Sequence, residues 1–111
     1  MTTTTTMTPH DEALERCAEM EGWLTHQGFK LVDARPAVGD DRWDSPEGRW
    51  CYERPECEMR GNTSRTSVAV TLYEGTTLVR FDLRGDVMHR VTFSNRTLPS
   101  VILATANCFR D

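Results

Sequence analysis

Three short runs of alternating apolar and polar residues between positions 65 and 94 constrain this chain more than any other feature. Val68, Val70 and Leu72 form the first, Val79, Phe81 and Leu83 the second, and Val87, Val91 and Phe93 the third. Side chains alternate between faces along a strand, so each run supplies one apolar and one polar face. Gly75-Thr76 and Arg84-Gly85-Asp86 separate the runs, and short glycine-containing loops make hairpins. Register follows from keeping one face apolar throughout. A two-residue loop at Gly75-Thr76 pairs Leu72 with Val79, Val70 with Phe81 and Val68 with Leu83. A three-residue loop at Arg84-Gly85-Asp86 pairs Leu83 with Val87, Phe81 with His89 and Val79 with Val91. A two-residue loop there would mix the faces. The expectation is an antiparallel meander with one apolar face.

Helices flank these strands. Thr8 can cap a helix whose first residue is Pro9, with Asp11 complementing its positive end. Ala13, Cys17, Met20 and Leu24 follow the 4-3-4 spacing of one buried stripe, and Gly28 and Phe29 supply a terminator after about Gln27. A second helix is expected from Thr97 or Leu98 to Phe109. Its stripe would be Leu98, Ile102, Thr105 and Phe109, widened by Val101 and Cys108. Phe29 to Arg35 reads as a strand and Pro36 to Ser64 as irregular. Within that stretch Ser45-Pro46-Glu47-Gly48 has type I turn preferences and can join short strands at Arg42–Asp44 and Arg49–Glu53. Pro55, Gly61 and Asn62 then break the pattern. The fold class is therefore α+β: helix, four- to five-stranded antiparallel meander, helix, with both helices on one sheet face in two layers. The threonine-rich segment 1–8 is expected to be a disordered tail, and 9–111 a single domain.

No segment has the ~18 uninterrupted apolar residues of a membrane span, and none resembles a secretion signal, so a cytoplasmic protein without membrane attachment is expected. The net charge of -4 conceals a segregation. Residues 1–60 carry 13 acids against 7 bases, whereas residues 61–111 carry 4 against 6. Opposite charge at the two ends affects partner choice and encounter rate more than fold.

No catalytic motif is present. Cys51 and Cys57 have five residues between them, more than a zinc knuckle's two to four, so neither metal nor cofactor is expected. Cys17 and Cys108 read as buried thiols. The register sets His89 on the apolar face, where a half-buried imidazole could serve a small enzymatic or ligand-binding domain. It also sets Arg80 opposite Arg90 on the outer face beside Tyr73, a surface that could bridge an anionic group or stack single-stranded bases. The net acidity disfavours nucleic acid.

The remaining expectation is a non-enzymatic protein-binding module, a small inhibitor or regulator comparable in size and charge to phage anti-defence and immunity proteins. Glu12, Glu15 and Glu19 line one side of the first helix, and Trp43, Trp50 and Tyr52 cluster in the irregular stretch. Carboxylates steer toward a basic partner surface and aromatic residues anchor the contact, with Arg80 and Arg90 as further contacts. A homodimer is also compatible with the sequence.

Overall fold

A computed structural model describes residues 9–35 and 48–108. Helix α1 spans Pro9–His26, followed by β1 (Lys30–Arg35), β2 (Arg49–Met59), β3 (Asn62–Thr71), β4 (Thr76–Phe81) and β5 (Val87–Phe93). Helix α2, Pro99–Cys108, completes the order. The strands form one antiparallel sheet in the order β1-β2-β3-β4-β5. The Thr-rich segment, Thr8, the expected Arg42–Asp44 strand, residues 45–47 of the expected turn, Trp43 and Phe109 lie outside the described residues.

Helix α1 follows its sequence closely. Ala13, Cys17, Met20 and Leu24 are all buried. Beyond the last turn Phe29 N–H donates to the Leu24 carbonyl at 2.9 Å, and the Phe29 side chain is buried. This is the six-to-one bond of a Schellman ending.

The strands after Pro36 depart from expectation. Arg49 to Ser64 is not irregular: β2 and β3 form a long hairpin closed by Arg60-Gly61. Both turn residues have positive φ, 53° and 82°, as a type I′ turn requires. Pro55 does not end β2; it sits beside a bulge, where the ladder shifts between Pro55 and Cys57. Proline has no N–H to donate, and a bulge accommodates that loss.

Both expected registers in the meander are wrong by an odd number of residues. In β3–β4, Val68 pairs with Leu78 and Val70 with Thr76. The loop is not Gly75-Thr76 but residues 72–75, from which Leu72 turns into the core. The chain comes so close here that a Cβ on Gly75 would lie 2.2 Å from the Phe93 carbonyl oxygen, and its φ is +106°. Thr71 N–H and Oγ1 both donate to the Gly75 carbonyl. In β4–β5 a three-residue loop is present, but it is Leu83-Arg84-Gly85. Gly85 N–H bonds the Asp82 carbonyl at 3.0 Å, and Asp82 N–H bonds that of Asp86 at 2.9 Å. The Asp82 carboxylate accepts Arg84 and Asp86 N–H groups, which holds the loop one residue earlier than expected.

An odd slip reverses faces. The buried positions of β4 are therefore Thr76, Leu78 and Arg80. Val79 and Phe81 are half-buried, and Arg65 from β3 lies over the Phe81 ring at 4.3 Å. One core cluster joins the α1 stripe to Trp50, Tyr52, Val68, Val70, Leu72 and Leu78 and to Ile102, Leu103 and Ala106 of α2. This agrees with the two-layer arrangement. The α2 stripe is corrected: Leu98, Val101 and Cys108 are exposed, while Leu103 and Ala106 are buried. Because α2 contains no charged residue, its sequence left the buried side unmarked.

Candidate functional site

The outer face of α1 is the most coherent candidate surface. Glu12, Glu15 and Glu19 are exposed, on the side opposite the buried stripe. Trp23, one turn beyond Glu19, continues their row and remains 42% exposed. A shallow groove lined by Glu19, Gly22, Trp23 and His26 ends the face. The spacings of three and four residues stack these groups along one side of the helix. Gly22 adds no side chain between Trp23 and His26. The result is a row of carboxylates running into an exposed indole.

Other expected contact residues are placed differently. Trp50 and Tyr52 are 0% and 1% exposed and belong to the core, so they form no surface anchor in this conformation. Arg80 is buried and pairs with His89 across the strands; Arg90 is exposed and pairs with Val79. The two guanidiniums therefore lie on opposite sheet faces. Tyr73 belongs to the β3–β4 loop rather than to the sheet. The surface expected to bridge anions or stack bases is not assembled. His89 is exposed: it lies on β5, an edge strand, opposite Arg80, and of the two valines on its side of the strand Val87 is itself exposed and Val91 only half-buried.

The cysteines are free thiols. Burial pushes the Cys17 thiol up to about 11, against a weaker opposing effect of Arg16, and its S–H faces the Thr71 carbonyl at 3.7 Å. A protonated buried thiol is a poor nucleophile. Cys108 is exposed rather than buried. Among the described residues no group of three or more His, Cys, Asp and Glu is arranged to hold a metal ion.

Sequence reasoning passed over the buried charge at the helix ends. Arg54 is 4% exposed and ion-paired with Glu56, whose side chain is 2% exposed. Its guanidinium also donates to the Gln27 carbonyl at 3.1 Å and to Asn107 Oδ1 at 3.4 Å, and lies 4.5 Å from the Phe29 ring centroid. A cation at the C-terminal end of α1 meets the carbonyls that the helix leaves unpaired. The signal was present: Arg54 continues the Trp50, Tyr52 alternation. No helix in the described residues is long and apolar enough to cross a membrane. Set against known family models, curated proteins and solved structures, the chain matches none.

Proposed function

We propose that this domain is a non-enzymatic protein-binding module that covers a basic surface of its partner with the outer face of α1. The observation carrying this reading is Trp23, exposed in line with Glu12, Glu15 and Glu19. Like carboxylates at these spacings cost a few tenths of a kcal/mol each, so the row is no gain to an isolated helix. It steers association with a positive surface, while the indole supplies the apolar area on which tight contacts depend. Occlusion of the partner would make the module an inhibitor or regulator.

The test is affinity capture from the native host with three immobilised forms: wild type, Trp23→Ala, and the triple change Glu12→Lys, Glu15→Lys, Glu19→Lys. Wild type should retain a protein in stoichiometric amount that dissociates as salt rises. Trp23→Ala should weaken retention at least about tenfold. The triple variant should slow association and flatten its salt dependence. Equal retention and equal on-rate for all three forms would remove α1 from the binding surface.

A further inference from the structure

We infer that this chain associates with a second copy of itself, Leu98 of each copy filling a preformed socket in the other. The socket lies between α1, the β3–β4 loop and the link from β5 to α2, and has a volume of about 80 Å³. Its apolar walls include Cys17, Met20, Val70 and Leu72. A dry cavity of about 150 Å³ accepts benzene, so roughly half that volume suits an aliphatic side chain. Leu98 forms part of the socket's margin and is also 65% exposed, more than any other large apolar residue described. Val101, one turn further, is 47% exposed. Knob and hole thus occupy the same patch.

That coincidence selects the occupant. A two-fold axis sets a patch against itself, and a patch carrying both projection and recess can place each copy's projection in the other's recess. Charge leads to the same choice. No charged residue occurs in Pro99–Cys108, so facing α2 helices bring no like charges together. The socket's rim carries Arg16, Glu19 and Arg96, both signs, which lets one copy's carboxylate meet the other's guanidinium. A rim of one sign would repel itself.

The walls are held in place before any occupant arrives. Asn95 Nδ2 donates to the Tyr73 carbonyl at 2.9 Å, tying the link to the β3–β4 loop. Thr97 N–H bonds the Ser94 carbonyl at 3.1 Å. Gly75 lies directly against Phe93. The Cys17 thiol is protonated at neutral pH, which keeps that wall uncharged. Preorganised recesses of this kind favour association by lowering its ordering cost.

Sedimentation of the full chain across a dilution series provides the test. Wild type should approach twice the chain mass at the concentrated end. Leu98→Glu, at a position 65% exposed, should weaken self-association at least about tenfold. Trp23→Ala should leave the mass unchanged, which separates this proposal from the one concerning α1. Wild type at single mass throughout overturns self-association and leaves the socket to a different polypeptide. Dimerisation unchanged by Leu98→Glu, with the variant's circular dichroism matching wild type, overturns the role of the socket.

Discussion

On the sheet face turned toward the helices, the rows Trp50–Val70 and Tyr52–Val68–Leu78 pack one half, while the next row is Arg54–Thr66–Arg80. All these residues are buried, so exposure does not distinguish the halves. Their chemistry does. The apolar half is non-directional and gains by removal of area from water. The polar half must satisfy each donor and acceptor, since a charge withdrawn from water is costly without partners. Arg54 meets this demand with a carboxylate, a backbone carbonyl, an amide and a ring. The Thr66 hydroxyl beside it has no hydrogen-bond partner among the described residues. One face thus combines a tolerant half with an exacting one.

Removing a large group from the tolerant half should have the greatest effect. Trp50→Ala should cost about 4 kcal/mol in denaturant unfolding, through lost transfer energy and an unfilled cavity. A loss below about 1 kcal/mol would mean that the indole is not the centre of the core.

Arg54→Ala should cost about 3 kcal/mol, because it leaves the buried Glu56 carboxylate without its cation. Replacing both partners, Arg54→Met with Glu56→Leu, should recover most of that loss. If the double variant is less stable than Arg54→Ala, the contacts to Gln27 and Asn107 outweigh the ion pair.

The smallest effect belongs to Thr66→Val. An apolar group of similar shape replaces a buried hydroxyl without a partner, so stability should stay level or rise by up to about 1 kcal/mol. A clear loss would reveal a bond to that hydroxyl and narrow the contrast between the halves.

The two halves were unequally legible in the sequence. Ala13, Cys17, Met20 and Leu24 declared α1 because their spacing fits one helical face and no other arrangement. The order helix, four- to five-stranded antiparallel meander, helix followed from alternation and turn residues, yet the registers and the long β2–β3 hairpin did not. Val79, Phe81 and Leu83 alternate as clearly as Leu78 and Arg80 conceal the true pattern. A rule that turns apolar residues inward cannot anticipate a buried arginine, nor a loop from which Leu72 returns to the core. For the same reason Trp50 and Tyr52 looked like anchors: aromatic residues suit cores and interfaces equally. The carboxylate row was readable at once. Its aromatic end, Trp23, emerges only in the structure, where it stays exposed while Trp50 and Tyr52 are buried.

The guanidinium of Arg54 bears on motion as well as on stability. It is bonded to Gln27, just past the end of α1, and to Asn107 of α2 at once, from a strand inside the sheet. Fraying of either helix end would disturb a group that also serves the other. Amide protons near Gln27 and Asn107, distant in the chain, should therefore exchange with solvent as one cooperative unit rather than as two independent termini.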